Sequence, residues 1–457
     1  MSHHAFIALG SNLGDRLTMI ENACKELDKS GKIKVLRTSS LWETKAMYVV
    51  DQDKFVNGVC EVETSLSPSE LLDALQAIEN SMGRVKVVDK GPRNIDLDIL
   101  LYDDQVVSTE RLNIPHPLML EREFVLRPLC EMIPERSLPP HVSFQGGSFH
   151  YHLTNLPRLE DSISPMTPLA PDIPAITVLR STRDTRIMSI LNLTPDSFSD
   201  GGENHEVDDP KFKKTIKSHI RAGATILDIG GQSTRPEAVP VSSTEELARV
   251  LPAIKLIRSL PEAKQVAISI DTYRADVARE AIEAGADIVN DVSAGTMAED
   301  MLSTVADLGC TVCLMHMRGT PNTMNHLASY PDGVVETVGR ELVERVRAAE
   351  AAGIRRWRII LDPGIGFAKN QAQNLELLRR LDDLRHFPGL QGLPWLLGPS
   401  KKAFIGRITG VKYANERKWG TAAAVAAAIQ GGADIVRVHD VREMWQVAKM
   451  ADALWRV

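Results

Sequence analysis

From residue 186 onward, short apolar runs that close on a polar or charged residue alternate with helical stretches, and the cycle repeats eight times. The runs are IMSILN, ending at Asn192; ILDIGG, with Asp228; AISID, ending at Asp271; DIVND, with Asn290 and Asp291; CLMH, ending at His316; RIILD, ending at Asp362; WLLGPSKK, with Ser400 and Lys402; and IVRVH, with Arg437 and His439. Continuous Val/Ile/Leu runs are the mark of parallel strands buried on both faces. Strands alternating with helices predict βα units. Eight such units in about 270 residues match an α/β (β/α)₈ TIM barrel, whose active site lies at the C-terminal ends of its strands. The polar run-ends are therefore expected to converge on one mouth.

The N-terminal part has a different rhythm. HAFIALG reads as a strand, followed by a turn and a helix over 17–27; KIKVLRTSSLWET, FVNGVCEVETS and IDLDILLYDD read as further strands. Between the last two, SPSELLDALQAIENSMG carries Ser67 and Glu70 in capping-box spacing and apolar residues at 71, 72, 75, 78 and 82, the pattern of a capped amphipathic helix. Mixed strands and helices of this kind predict a compact α+β sandwich. Prolines crowd 137–184, and no apolar period runs from 161 to 174. We read 1–160 as one domain, 161–175 as a partly extended linker and 176–457 as the second domain.

Composition adds exclusions. A chain of 457 residues exceeds one comfortable core, and 43% hydrophobic with 25% charged residues is ordinary for a globular protein. The net charge of −7 argues against broad binding to nucleic acid or anionic membrane, so an anionic substrate needs local basic groups. No apolar stretch is long enough to span a bilayer. The five scattered cysteines fit a reducing compartment. Cys310 and Cys313 form a C-x-x-C, but on a strand they face opposite ways and read as core residues. No export or organelle address is visible, so the expected location is cytoplasmic, or mitochondrial if a presequence belongs to a longer precursor.

In the first domain the chemistry concentrates at Gly91-Pro92-Arg93-Asn94-Ile95-Asp96-Leu97-Asp98. Asp96 and Asp98 are i and i+2 on a strand, so both carboxylates face one side. Such a pair suits Mg²⁺ bridged to a polyphosphate, although a solvated acidic face would look the same. Arg84, Lys86, Lys90, Arg93, His116 and Arg122 gather the positive charge that phosphoryl-type transfer needs. No P-loop motif is present.

At the barrel mouth, Asn192 could ligate a hard cation; Asp271, Asn290 and Asp362 supply donors and acceptors for a flat heteroaromatic ring; Lys402, Arg437, His439 and Ser400 make an anion site. Each has a plainer reading. Asp271 could cap the next helix, Asp362-Pro363-Gly364 could be only a turn, and His316 could be a core histidine. All eight ends in register are harder to explain that way.

ALGSNLGDR, Glu79 to Arg84, GPRNIDLDILLYD and IPHPLMLEREFVLRPL together resemble 6-hydroxymethyl-7,8-dihydropterin pyrophosphokinase over nearly all of 4–140. The resemblance implies a ferredoxin-like α+β fold and transfer of a pyrophosphoryl group from ATP to the pterin hydroxymethyl, releasing AMP. It places two Mg²⁺ ions on Asp96 and Asp98, pterin contacts on Thr44, Asn57, Phe55 and Phe124, and ATP contacts on Arg84, Arg93, His116 and Arg122, with Glu79 in the same site. Lys90 and Pro117 stand where bacterial members carry aromatic residues.

The segments ILNLTPDSFSDGG, DIGGQSTRP, SIDT, NDVSAG, MHMRGTP, DPGIGFAK, GPSKKAFIG and RVHD closely resemble dihydropteroate synthase, in family order, over 186–457. The resemblance implies condensation of the pterin pyrophosphate with para-aminobenzoate, releasing pyrophosphate. Asp271, Asn290, Asp362 and Lys402 would hold the pterin, with Phe367 at the pocket wall. Asn192, Arg437 and His439 would take one Mg²⁺ with the pyrophosphate, and Thr234, Arg235, Pro236, Phe198 and Ser400 would enclose para-aminobenzoate. Gln232 and Glu237 replace the usual Glu and Gly of bacterial members. Such barrels commonly form homodimers through their C-terminal helices. Two other classes stay open: a pterin-binding methyltransferase-like barrel, which should lack the S-T-R-P and GPSKK segments, and a scaffold that keeps inactive folds.

Overall fold

The computed structural model describes residues 2–45, 53–83, 94–138, 146–157, 163–194, 210–233 and 239–457. The chain divides into two compact units: Met1–Met166 with Arg355–Trp357, and Thr167–Ile354 with Arg358–Val457.

The first unit contains strands β1 (His3–Ser11), β2 (Ile33–Thr38), β3 (Leu41–Thr44), β4 (Phe55–Thr64), β5 (Asp96–Tyr102), β6 (Val107–Ser108), β7 (Asn113–Ile114) and β8 (Ser164–Thr167). Its helices are α1 (Arg16–Lys29), α2 (Pro68–Ser81), α3 (Glu123–Met132) and α4 (Phe149–Asn155). The sheet runs β5-β1-β4-β3-β8, with β2 also on β4, and its pairs within the unit are antiparallel. Strand alternation builds two cores. Ala5, Ile7 and Leu9 of β1 pack with Ile20 and Leu27 of α1 and Leu71 and Leu75 of α2. Phe6, one position out of phase, packs with Leu126 and Leu129 of α3 and Phe149 of α4. The Ser67–Glu70 capping box at α2 forms as the spacing predicts.

Two details differ from the sequence expectation. KIKVLRTSSLWET is two strands: Thr38 faces Cys60 while Trp42 faces Asn57, so four steps on one side meet three on β4. The extra residue is a bulge at Ser39 and Ser40, fixed where Ser39 Oγ accepts the Val59 N–H at 2.9 Å. Within 161–175, β8 pairs with β3, where proline at 165 keeps the extended backbone and a usable carbonyl.

The second unit contains β9 (Ile176–Thr177) and eight parallel strands: β10 (Arg186–Asn192), β11 (Ile226–Gly230), β12 (Ala267–Asp271), β13 (Ile288–Asp291), β14 (Thr311–Met315), β15 (Ile359–Asp362), β16 (Leu396–Leu397) and β17 (Ile435–Val438). The barrel order follows the chain from β10 to β15, with β16 and β17 returning to β10, and the Leu361–Trp395 bridge joins the last gap. Its helices are α5 (Pro210–Arg221), α6 (Ser243–Ser259), α7 (Ala275–Glu283), α8 (Met301–Leu308), α9 (Val334–Ala351), α10 (Gln371–Arg379), α11 (Leu381–Arg385), α12 (Ala403–Thr409), α13 (Lys418–Gln430) and α14 (Val441–Trp455).

Each barrel strand gives one residue to an inner layer: Met188, Ile226, Ala267, Ile288, Cys313, Ile360, Leu396 and Ile435. Cys310 belongs instead to the cluster between strands and helices, so the C-x-x-C residues do face opposite ways. Burial holds the Cys310 thiol up near 12 and pushes Cys313 up as well, leaving both protonated at neutral pH. Counting in twos from the inner layer places Asn192, Asp228, Asp271, Asn290, Asp362, Arg437 and His439 on the inward face. His316 has the opposite parity.

Candidate active sites

In the first unit, strand register assembles the site. Asn57 of β4 lies opposite Gly10 of β1, and Gly10 opposite Asp96 of β5. Asp98 lies opposite Ala8. Leu97 and Ile99 point into the α1/α2 core, so Asp96 and Asp98 share the other face, half-buried. Gly10 keeps the floor low: a Cβ there would sit 3.3 Å from Asn57 Oδ1. Asn57 donates to Thr44 Oγ1 at 2.8 Å, which orients its amide.

Glu79, 4% exposed, reaches from α2 so that Oε1 accepts the Leu97 N–H at 2.8 Å, between the two aspartates. Burial lowers the His116 imidazole pKa, the Arg122 guanidinium lowers it further, and Asp96 opposes both. Arg122 and Asp96 therefore both act on His116. Arg122 also lies 5.7 Å from the Phe124 ring centroid, and Phe55 opens β4 opposite Thr44. Among the described residues no group of three or more His, Cys, Asp or Glu could hold a metal. Two carboxylates on one face fit a magnesium ion whose other ligands are phosphate and water oxygens. Arg84 and Arg93, with Lys86 and Lys90, lie outside the described residues.

In the barrel, register aligns Asn192 with Gly230, Gly230 with Asp271, and Asp271 with Asn290 around the mouth. Arg437 enters from β17. Its Nε donates to Asp228 Oδ2 at 2.6 Å and its Nη2 to Asp271 Oδ2 at 2.7 Å. Asn290 Nδ2 donates to Asp228 Oδ2 at 3.3 Å. Burial pushes the Asp271 carboxyl up to about 7 against the pull of Arg437, and the neighbouring Asp228 adds to the rise. Asp271 Oδ1 is buried without a hydrogen-bond partner. A buried acceptor of that kind is costly until a ligand donor meets it.

Burial likewise lifts Asp362 to about 6, opposed by the Gly364 N–H, Lys402, Lys369 and Arg437. The turn reading of Asp362-Pro363-Gly364 is half the story, since Gly364 N donates to Asp362 Oδ1 at 2.7 Å and aims the carboxylate. Gly364 (φ +72°) is required there, because a Cβ would lie 2.0 Å from the His316 carbonyl oxygen. Asp271 is no helix cap: α7 begins after Arg274.

Lys402 Nζ sits 4.2 Å from the Phe367 ring centroid. Ser400 Oγ accepts the His439 backbone N–H at 3.2 Å and lies 2.9 Å from His439 Nδ1, which fixes the ring against the hydroxyl. His316 stands behind the mouth, 3% exposed, with Nε2 at 2.7 Å from Glu341 Oε2 of α9. Thr234, Arg235, Pro236 and Phe198 lie outside the described residues. Asp228 is the residue that sequence reasoning left without a role. Its signal was a charge in the middle of an apolar run, two positions from the inner-layer Ile226.

Residues 188–439 match the family model of the pterin binding enzymes, and 6–134 match that of 7,8-dihydro-6-hydroxymethylpterin-pyrophosphokinase. The chain is 48% identical over 454 residues to the folic acid synthesis protein fol1 of Pneumocystis carinii, covering 99% of this chain but 60% of that protein. It is 42% identical to the mitochondrial folate synthesis bifunctional protein of Arabidopsis thaliana, covering 99% of this chain and 83% of that protein. Its fold is similar to the Plasmodium falciparum HPPK-DHPS crystallised with pteroate, with a TM-score of 0.83 at 22% identity, covering 100% of this chain and 96% of that one.

Proposed function

This chain belongs to the folate-synthesis bifunctional family, and on that premise we propose that it carries out two consecutive transfers. Residues 1–160 move a pyrophosphoryl group from ATP to 6-hydroxymethyl-7,8-dihydropterin, releasing AMP. Residues 176–457 condense the pterin pyrophosphate with para-aminobenzoate to give 7,8-dihydropteroate and pyrophosphate.

Asp96 and Asp98 would hold two Mg²⁺ ions, and Asn192 one with the pyrophosphate; bound there, the ions would supply charge neutralisation at the phosphates. The chain's own groups do the rest. Thr44 and Asn57 read the pterin edge between Phe55 and Phe124, while Arg122, Arg84 and Arg93 neutralise ATP and His116 offers it a hydrogen bond. Glu79 holds the strand between the two aspartates in place.

In the barrel, Asp271, Asn290 and Asp362 accept from and donate to the pterin ring, joined by Lys402 over Phe367. Arg437 neutralises the departing pyrophosphate, with His439 beside it as a hydrogen-bonding partner. The methylene C–O bond breaks with its electron pair leaving on the pyrophosphate oxygen. The resulting cation spreads into the pterin and is stabilised by Asp271 and Asp362. The neutral arylamine, enclosed by Thr234, Arg235 and Ser400, then forms the C–N bond and loses its proton.

One observation carries this reading: at the C-terminal end of a strand in a pterin-binding-family barrel, Asp271 is lifted by burial, held by Arg437 and left with one buried oxygen that has no hydrogen-bond partner. The test supplies pterin pyrophosphate and para-aminobenzoate without ATP. Dihydropteroate should form with one pyrophosphate released per turnover; its absence would overturn the barrel assignment. The same reading expects a homodimer through the barrel domain and residence in the cytoplasm, or in the mitochondrion when a presequence precedes the chain. No helix among the described residues is long and apolar enough to cross a membrane.

A further inference from the structure

Lys369 lies in the turn after β15 and is 8% exposed. Its Nζ is 2.9 Å from the Phe367 carbonyl oxygen, 3.0 Å from His316 Nδ1 and 3.5 Å from the His316 carbonyl oxygen. These acceptors are neutral, and taking an ammonium out of water to meet them is expensive. A methionine would fill the space without that penalty, so packing alone does not account for a lysine.

The surroundings are built to receive it. His316 Nε2–H donates to Glu341 Oε2, which leaves Nδ1 as the acceptor for Lys369. Arg318 pairs with the same Glu341 and lies 4.3 Å from the Tyr330 ring centroid. The Tyr330 hydroxyl donates to the Ala368 carbonyl at 2.9 Å. Two successive carbonyls, Phe367 and Ala368, are thus held by this group in a turn whose Ala368 has φ +50°. That turn connects Asp362 to Phe367, two residues of the pterin site.

We propose that Lys369 is a positioning residue of the barrel site: it fixes the 362–369 turn through the Phe367 carbonyl and His316, and its charge keeps the Asp362 carboxylate anionic so that it accepts from the pterin. The inference rests on the pterin reading of the mouth. Burial lowers Lys369 to about 7, with Asp362 and Glu341 opposing and Arg318 and Lys402 adding to the fall. His316 is lowered to about 4, first by burial and then by Lys369, so it stays neutral across the working range. Asp362 faces Lys402, Lys369 and Arg437, and all three charges favour its carboxylate.

The test measures kcat/KM for dihydropteroate formation from pterin pyrophosphate and para-aminobenzoate across pH 5 to 9 in the full chain. K369M should move the acid limb upward by about one pH unit, because the carboxylate loses a nearby positive charge. K369R restores the charge and should return the limb towards wild type while kcat/KM stays lowered. E341Q withdraws the charge that favours ammonium at Lys369 and should shift the limb the same way by less, which keeps the test alive if K369M does not fold. AMP formation by the first domain serves as a control that the chain is intact. An unmoved limb with only a lower melting temperature would overturn the proposal and leave Lys369 a packing residue. A wild-type chain that forms no dihydropteroate at any pH would overturn the pterin reading itself.

Discussion

Arg437 Nη2 lies 2.7 Å from Asp271 Oδ2, although their strands are separated by two others in the barrel. The guanidinium spans that gap because Asp228, wholly buried beneath, takes its Nε. One arginine thus ties the expected pyrophosphate group to the expected pterin group. A pyrophosphate arriving at the mouth would compete with Asp271 for the same Nη2.

Removing that guanidinium should damage turnover more than ground-state binding. R437A is expected to lower kcat for dihydropteroate formation by about 10²–10³-fold, the scale of losing one preorganised charge-stabilising donor. R437K should not rescue it, since a point charge cannot serve two carboxylates from a planar fork. Steady-state kinetics on supplied pterin pyrophosphate checks this. Unchanged turnover with collapsed pyrophosphate binding would assign Arg437 to binding alone.

The buried carboxylates set a pH dependence. Burial lifts Asp271 to about 7 and Asp362 to about 6, and both must be ionised to accept from pterin N–H groups. The condensation should therefore weaken as pH falls through 7 towards 6, far above the ordinary carboxylate range. D228N removes a negative charge that raises Asp271, so its limb should move to lower pH while kcat falls through loss of the Arg437 anchor. A pH–rate profile of the variant reads both effects.

The first domain should be separable by substitution. D96N and D98N are expected to cut AMP formation by at least about 10²-fold, because charge neutralisation is the main catalytic resource in phosphoryl-type transfer. Condensation of supplied pterin pyrophosphate should be unchanged in the same preparations. Two assays on one sample decide the matter.

Backbone geometry gives a structural prediction. In G364A the new methyl group would meet the His316 carbonyl at 2.0 Å in a left-handed conformation. The cost should exceed about 1 kcal/mol, the gain such a substitution yields at a compatible site, and be of the opposite sign. Thermal unfolding of the barrel measures it, and the Asp362 carboxylate should lose its aim along with the Gly364 N–H.

The barrel was legible because its strands are buried on both faces, so apolar runs and polar ends stand out without an alignment. Period-two parity places Asp271, Asn290, Asp362 and Arg437 on the inward face. The same parity excludes His316, and applying it to the run CLMH would have moved that residue behind the mouth. Asp228 was visible as a charge inside an apolar run, but its bond to Arg437 depends on strands distant in sequence. Lys369 left no sequence signal: a lysine after a Gly-rich turn reads as exposed, and only the packing around Glu341 and His316 shows it buried. In the first domain, Asp96 and Asp98 followed from strand spacing. The alignment of Asn57, Gly10 and Asp96 across three strands needed the register.

The most direct test of the account gives the full chain ATP, Mg²⁺, 6-hydroxymethyl-7,8-dihydropterin and para-aminobenzoate, and counts AMP and dihydropteroate together. We expect both, approaching one AMP per dihydropteroate at steady state. AMP without dihydropteroate, or dihydropteroate only when pterin pyrophosphate is supplied, would contradict the assignment of two successive transfers to one chain.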